Sequence, residues 1–339
     1  MSPLAIIWFL LIGVLIFGYF ALDGFDLGAG VLYPVLGRSE ADRAVIRRSI
    51  GPVWDGNEVW LLTAGGALFA AFAPAYATSF SGFYLAIMLV LFGLIVRAVS
   101  LEFRAHDAAW ARLYDVMFVV GSLLPALLTG VAVGNVIAGI PLDANGDFTG
   151  TFFTLLTPFT LSCGVLGLVH MLVQGSAWIA LKAPEDAEGA ELAERARALR
   201  GKLVLAEALV FAFVSACFFV SVVPNGAGVE VTFLAAFFAV LYAVSLLVAG
   251  RGGCDLRAFL VEELGCAALV GIAASTLFPN LINATKPAFA ITIEHAAGSD
   301  LTLAIMLGIA LIGVPIVLVY HVVAYRVFRG RLKRGDLTY

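Results

Sequence analysis

Long apolar runs recur along this chain and restrict what it can fold into. A representative run is LVFAFVSACFFV at 209–220, which does not alternate between polar and apolar residues as a membrane β-strand does. With 62% hydrophobic residues and a mean hydropathy of +1.01, the chain has too much apolar surface for a water-soluble globule. Backbone polar groups in lipid must be hydrogen-bonded within their own segment, which favours helices. The sequence therefore predicts an all-α, polytopic membrane protein.

The apolar runs give a helix count. A hydrocarbon core of about 30 Å requires roughly 20 apolar residues per helix, which predicts about nine transmembrane helices in one membrane domain over residues 1–339. The predicted helices lie approximately at 5–33, 50–73, 76–103, 113–139, 151–181, 203–224, 229–249, 258–281 and 301–328. A weak similarity between GGALFAAFAPAYA in helix 2 and AASTLFPNLINA in helix 8 suggests two four-helix bundles plus one extra helix.

The basic residues lie almost entirely on one side of the predicted helices. Of the 20 Lys and Arg residues only Lys286 falls outside the odd-numbered loops, the C-terminus and their flanking helix ends. The residues that define the basic side are Arg38, Arg43, Arg47, Arg48, Arg104, Arg112, Lys182 to Lys202, Arg251, Arg257 and Arg326 to Arg334. The positive-inside rule then places the C-terminus in the cytoplasm and the N-terminus in the periplasm of a bacterial inner membrane. The basic loops are expected to contact anionic lipid headgroups. The sequence lacks the basic patch that is typical of a nucleic-acid-binding protein.

The loop over 182–202 is the longest of the basic loops. Its sequence, APEDAEGAELAERARALRGK at 183–202, is compatible with a short amphipathic helix that extends helix 5 or helix 6. We favour a solvated connector, because the segment is charged and rich in alanine. No large soluble domain is predicted, so any chemistry must take place in or between the helices.

Ionisable residues gather at one depth of the first three helices. Each such group costs roughly 2.5–3.5 kcal/mol at the centre of a membrane helix, so it marks a functional site by default. The group comprises Asp23 and Asp26 in helix 1, Asp55 and Glu58 in helix 2, and Arg97, Glu102 and Arg104 at the end of helix 3. All of them fall in the predicted cytoplasmic half, where a chain of carboxyl groups would suit proton uptake.

A structural interpretation of the same residues competes with the functional one. Asp55 and Glu58 near a helix N-terminus complement the helix dipole, and Arg97 with Asp26 could form a static ion pair. For Glu58, Glu102 and Arg104 the structural interpretation is favoured, because long side chains can reach the interface. For Asp26, which lies deeper, function is favoured.

The remaining polar residues give no pattern of a cofactor site. His170 and His321 are the mid-helix histidines, and they lack the spacing expected of a bis-histidine haem site. Hydrogen-bonded packing is the preferred interpretation for both. The four cysteines have no CxxC spacing, so neither a thiolate metal site nor any other metal site is predicted in this chain.

Several longer motifs identify the family that the sequence resembles. They are DGFDLGAG at 23–30, WDGNEVWLLTAGGALFAAF at 54–72, YATSFSGFYLAIMLVLFGLIVRAVSLEFR at 76–104, GVAVGNVIAG at 130–139 and LTLAIMLGIALIGVPIVLVY at 301–320. Together they resemble subunit II of the cytochrome bd quinol oxidases over nearly the whole chain. The run WDGNEVWL followed by GGALFAAF is the most specific of these motifs.

The resemblance implies a heterodimeric oxidase that takes electrons from quinol and reduces dioxygen to water. Two b-type haems and one d-type haem then belong to the partner, subunit I, and this chain supplies no haem ligand and no catalytic residue of its own. A structural quinone, an oxygen passage through this subunit and a small accessory single-helix subunit are further features to expect.

The resemblance also assigns roles to individual residues. Asp26 and Asp55 correspond to acids on a cytoplasmic proton route, to which we add Glu58, where some members have glutamine. Arg97 corresponds to an arginine that supports the haem pocket together with Asp26. We group Asp23 and Glu102 with Arg97 as candidate ion-pair partners.

Two other functions are alternatives to that of an oxidase subunit. A proton-coupled secondary transporter would also carry intramembrane acids and two related halves. Against it, the acids lie toward one face of the membrane, and helices 4 to 7 are expected to carry almost no midplane polar groups. An inert assembly subunit without a proton role is compatible with each structural interpretation given above.

Overall fold

The computed structural model describes residues 1–225, 233–250 and 253–333. Arg251, Arg334 and the predicted start of helix 7 at residue 229 lie outside the described residues. The helices are α1 Pro3–Leu36, α2 Glu40–Ile50, α3 Trp54–Ala71, α4 Ala73–Gly82, α5 Tyr84–Phe103, α6 Ala111–Ala138, α7 Pro158–Lys182, α8 Ala187–Cys217, α9 Phe233–Ala249, α10 Asp255–Leu277, α11 Ile293–Ala296 and α12 Asp300–Val327. Two short strands, β1 Asn280–Ile282 and β2 Ile291–Thr292, pair antiparallel.

Within the described residues, seven helices are long and apolar enough to cross a membrane. These are α1, α5, α6, α7, α8 with its π-helical continuation to Val222, α10 and α12. Two further helices occupy the predicted second and seventh segments. Helix α3 occupies the second segment, and its first turns contain the polar residues Asp55, Asn57 and Glu58. Helix α9 occupies the seventh segment and is a shorter apolar helix of 17 residues. The all-α membrane fold is confirmed, while the count of nine remains a prediction.

Three segments differ from their predicted form. The predicted third helix at 76–103 is divided into α4 and α5 at Phe83. The first basic loop contains α2, which the sequence analysis treated as a loop. The side chain of Ser39 accepts from the backbone of Asp42 and the side chain of Asp42 accepts from the backbone of Ser39, so this helix begins with a capping box.

The solvated connector predicted for 182–202 is wrong. Helix α8 begins at Ala187 and continues without a break into the membrane segment. Its first turns are held by ion pairs, because Arg195 lies 2.8 Å from Asp42 of α2 and Arg197 lies 2.7 Å from Asp255 of α10. Charged groups that the sequence assigned to solvent therefore hold three helices together at their predicted cytoplasmic ends.

The division into two four-helix bundles stays a prediction, and the helices are grouped here by their neighbours. Helices α1, α3, α5 and α6 form one group, α7 to α10 form a second, and α12 lies against α1 and α3. Helix α7 joins the groups, because it packs extensively on α1 and α6 as well as on α8 and α10. A Cβ at Gly28 of α1 would lie 1.7 Å from the carbonyl oxygen of Met171 of α7, so these two backbones touch.

Candidate functional site

Arg97 is the centre of a polar cluster within the first group of helices. Its side chain is fully buried, and one Nη2 atom lies 2.6 Å from Asp23 Oδ1 and 3.0 Å from Glu58 Oε1. The guanidinium carbon also lies 5.9 Å from the centre of the Trp54 ring, within the range of a cation–π contact. One cation thus connects α1, α3 and α5.

Asp26 lies one turn beyond Asp23 on the same face of α1. It is fully buried, and its Oδ2 accepts a hydrogen bond of 2.7 Å from Nδ2 of Asn57. Asn57 in turn accepts from the hydroxyl of Tyr325 of α12 at 3.0 Å and donates to the carbonyl of Leu22 at 3.1 Å. The amide of Asn57 therefore fixes Asp26 and ties α12 to the cluster.

We call Asp23, Asp26, Asn57, Glu58 and Arg97 the carboxyl–arginine cluster. Two of its carboxyl groups contact one guanidinium, and the third, that of Asp26, is held by Asn57. Asp23 Oδ2, Asp26 Oδ1 and both Nε and Nη1 of Arg97 are buried without a hydrogen-bond partner. Buried polar groups usually have a hydrogen-bond partner, either protein or ordered water, so these atoms set the cluster apart from the apolar packing around it.

The predicted site residues do not all belong to this cluster. Arg97 pairs with Asp23 and Glu58, whereas the expected contact partner was Asp26. Asp55 is exposed in the first turn of α3, and its charge acts on Glu58 one turn further along the helix. Glu102 is exposed near the end of α5 and makes none of the contacts that define the cluster.

A ring of ion pairs surrounds the nearby helix ends. Arg104 donates to Asp115 at 2.9 Å and lies 2.9 Å from Glu40, while Arg47 binds both Glu40 and the hydroxyl of Tyr33. Partial burial lowers the pKa of Arg104, but its hydrogen bond to Asp115 and the charges of Asp115 and Glu40 outweigh this and raise the pKa overall. The ring holds α2, α5 and α6 together beside the deeper cluster.

A second buried cluster lies in the other group of helices. Nδ1 of His170 in α7 lies 2.7 Å from Glu207 Oε1 of α8, and the Tyr242 hydroxyl of α9 donates to the same oxygen at 2.6 Å. Glu262 of α10 is fully buried 3.7 Å from His170. We call His170, Glu207, Tyr242 and Glu262 the histidine–glutamate cluster.

The sequence analysis missed this second cluster. Its claim that helices 4 to 7 are poor in midplane polar groups is wrong, because His170, Glu207 and Tyr242 are buried between them. The signal was present, since Glu207 and Glu262 fall inside predicted membrane helices where ionisable residues are rare. Hydrogen-bonded packing was expected of both mid-helix histidines, and the Trp60 indole of α3 does donate to His321 at 3.2 Å.

Gln174 lies between the two clusters. Its Nε2 donates to Glu263 Oε2 at 3.1 Å, and its Oε1 lies against the backbone of α1 at Gly24, beside Asp23. The charges of both Asp26 and Glu263 act on the Tyr325 hydroxyl, so Tyr325 also lies between them. Buried polar groups therefore extend from α1 through α7 to α10.

Comparison with known proteins identifies relatives over the full length of the chain. The profile of the family described as cytochrome bd terminal oxidase subunit II matches residues 4–328. A probable cytochrome oxidase subunit 2 of Haemophilus influenzae is 35% identical, with 97% of this chain and 95% of that protein covered. The cytochrome bd-I ubiquinol oxidase subunit 2 of Escherichia coli K12 is 33% identical, with coverage of 98% and 96%.

Two further matches extend the comparison. The cytochrome bd ubiquinol oxidase subunit 2 of Bacillus subtilis is 33% identical, with 94% of each chain covered. Among solved structures, a chain of the bd oxidase from Geobacillus thermodenitrificans superimposes with a TM-score of 0.74 at 16% identity, covering 96% of this chain and 99% of that one. At that identity, the structural match supports the shared fold.

Proposed function

Since this chain belongs to the cytochrome bd terminal oxidase subunit II family, we propose that its carboxyl–arginine cluster takes up protons from the cytoplasm for the oxygen chemistry of the oxidase complex. The chain is a multi-pass membrane protein of a bacterial type, and its family implies a complex with a haem-bearing subunit I. Within that complex its role is to stabilise the partner and to conduct protons toward it.

One observation carries the proposal. Asp23 and Glu58 both contact the buried cation of Arg97 where α1, α3 and α5 meet, and the fully buried Asp26 lies one turn from Asp23 on α1. A purely structural ion pair needs one carboxylate per guanidinium. Burying the additional carboxyl groups costs folding free energy, and a structural role alone does not explain that cost. Proton conduction explains them, because each carboxyl can receive a proton and pass it on.

The order of the groups suggests a route. Asp55 is exposed at the start of α3, Glu58 lies one turn deeper with its side chain 17% exposed, and Arg97 joins Glu58 to the fully buried Asp23. Asp26 follows one turn along α1. We assign entry to Asp55, transfer to Glu58 and delivery to Asp26, with the N-terminus of the chain on the periplasmic side.

The partner holds the redox groups in this proposal. Two b-type haems and one d-type haem bind in subunit I, quinol and dioxygen are the substrates of the complex, and Arg97 with Asp23 supports the haem pocket across the interface. A structural quinone, an oxygen passage and an accessory single-helix subunit belong to the same proposal, and no residue of the two clusters is assigned to them.

The test uses Asp26→Asn in the complete complex. The amide keeps the size of the side chain and can still contact Asn57, but it cannot carry a proton. Quinol-dependent oxygen uptake is expected to fall by about tenfold or more, since positioned proton transfer contributes factors of that order. The reduced-minus-oxidised haem spectrum is expected to stay unchanged. Asp147→Asn, in the loop after α6, serves as the matched control and should retain the parental rate.

The two readouts separate the alternatives. Normal oxygen uptake by Asp26→Asn would contradict the proton route and leave the chain as an assembly subunit. Loss of haem from the same variant would instead assign Asp26 to the support of the haem pocket, and would equally contradict its assignment as a proton carrier.

A further inference from the structure

The histidine–glutamate cluster has the composition of a metal site. His170, Glu207 and Glu262 each offer one ligand atom, and these three atoms lie within 4.8 Å of one another. The residues come from three different helices, α7, α8 and α10, so a single ion could connect all three. Carboxylate and histidine ligands on facing helices are a recurrent way of building metal sites in helical bundles.

Several atoms of the cluster are buried without partners. Both carboxyl oxygens of Glu262, Oε2 of Glu207 and Nε2 of His170 lack a hydrogen bond. Glu207 and Glu262 are fully buried, and His170 is 3% exposed. A buried carboxyl group with neither oxygen paired is costly unless a cation or a proton compensates it. These atoms therefore offer buried ligands for a cation between the helices.

Protein cations nearby do not supply that charge. Arg200 of α8 is the cation that acts on Glu262, and its Nη1 lies 3.5 Å from Asp255, which also binds Arg197. Glu263, next along α10, adds a further buried carboxyl group that contacts Gln174. The region thus contains more acidic than basic groups.

We propose that His170, Glu207 and Glu262 bind one divalent transition metal ion, either Zn²⁺ or Mn²⁺. Imidazole and carboxylate are ligands that both ions accept. Ligand atoms about 2.1 Å from a tetrahedral ion lie roughly 3.4 Å apart, close to the observed 3.7 Å between His170 Nδ1 and Glu262 Oε2. Glu207 would bind the ion through Oε2, which has no hydrogen-bond partner, so Oε1 keeps its bond from Tyr242 while His170 Nδ1 turns from Glu207 to the ion.

Tyr242 supports the same assignment. Its hydroxyl donates to Glu207 Oε1 at 2.6 Å from α9, so it orients the carboxylate as outer hydrogen bonds commonly orient metal ligands. The ion would neutralise two buried carboxylates and join the helices of the second group. Sequence spacing had indicated no metal site, because the ligands are far apart in the chain and meet only when the helices pack.

Metal analysis of the purified complete complex tests the site. The purified complex is first passed over a chelating resin to remove loosely bound metal. Zinc, manganese and iron are then measured by elemental analysis, and the iron bound in haem is subtracted from the total iron. We expect about one zinc or manganese ion per chain in the parent. Glu262→Gln and Glu207→Gln should lose that ion. Glu58→Gln, a carboxyl-to-amide change in the carboxyl–arginine cluster, should retain it and serves as the matched control.

Folding is followed separately through the haem absorbance of each preparation. A variant that keeps the haem spectrum but loses the ion supports the site. Absence of zinc and manganese from the parent complex, both as isolated and after incubation with either ion alone, would overturn the proposal. So would an ion that persists in both glutamine variants. None of these readouts depends on oxygen uptake, so the metal site and the proton route can fail independently.

Discussion

Gln174 donates a hydrogen bond to Glu263 across 3.1 Å, from α7 to α10, while its own carbonyl oxygen lies against the backbone of α1 at Gly24. Both side chains lie inside the helical assembly, and Gln174 is fully buried. This single amide joins the two groups of helices at the level of their polar clusters. Its removal should therefore affect the packing of both groups.

We predict that Gln174→Leu destabilises the complex by about 1–3 kcal/mol, because the partly buried carboxyl group of Glu263 loses its hydrogen-bond partner. The measurement is the temperature at which the purified complex loses its haem absorbance. The double variant with Glu263→Leu provides the control, since removing both partners costs much less than removing one. A double variant that is less stable than the single variant would show that the hydrogen bond is not the cause.

The second prediction concerns Arg97. Arg97→Leu leaves Asp23 and Glu58 without their shared cation, and breaking a buried ion pair in this way costs about 3–5 kcal/mol. We expect little assembled complex and low haem recovery from membranes. Adding Asp23→Asn and Glu58→Gln in the same chain should restore part of the yield, because the uncompensated charges are then removed.

Arg104→Leu is the matched control for the Arg97 variant. Arg104 lies 2.9 Å from both Glu40 and Asp115, but Glu40 is exposed, the side chain of Asp115 is 15% exposed, and the ring lies at the helix ends, so the loss should be smaller than for Arg97. Exposed ion pairs contribute under about 1 kcal/mol and weaken with salt. Equal losses from the two arginine variants would contradict the importance assigned to burial.

The third prediction concerns the contact between α1 and α7. In Gly28→Ala the new methyl group would overlap the backbone of Met171, so the helices must move apart. Overpacking of this kind costs about 1–3 kcal/mol or more, and a lower thermal midpoint of the complex is expected. Gly13→Ala lies on the same helix with nothing within 4 Å of the new methyl group. It should leave the midpoint unchanged or raise it slightly, because alanine has a higher helix propensity than glycine. An equal fall in both variants would contradict the assignment of the loss to the contact between α1 and α7.

Sequence reasoning was most successful where the bilayer imposes a local rule. Hydropathy predicted the all-α membrane fold and most helix positions within a few residues, because every segment in lipid must satisfy its own backbone. The motif around Asp26 and Asp55 led to the correct family. The charged connector at 182–202 was misjudged, since the pairing of Arg195 with Asp42 depends on residues far away in the sequence.

The sequence by itself determined the helices, the family and the presence of acids at membrane depth, since these follow from local composition and motif. Only the tertiary structure decided which acid meets which base. In the structure Arg97 pairs with Asp23 and Glu58, Asp26 accepts a hydrogen bond from Asn57, and His170, Glu207 and Glu262 lie together. Side-chain partners in a helical bundle depend on the rotation and depth of each helix, and those are set by packing between helices that are distant in the chain.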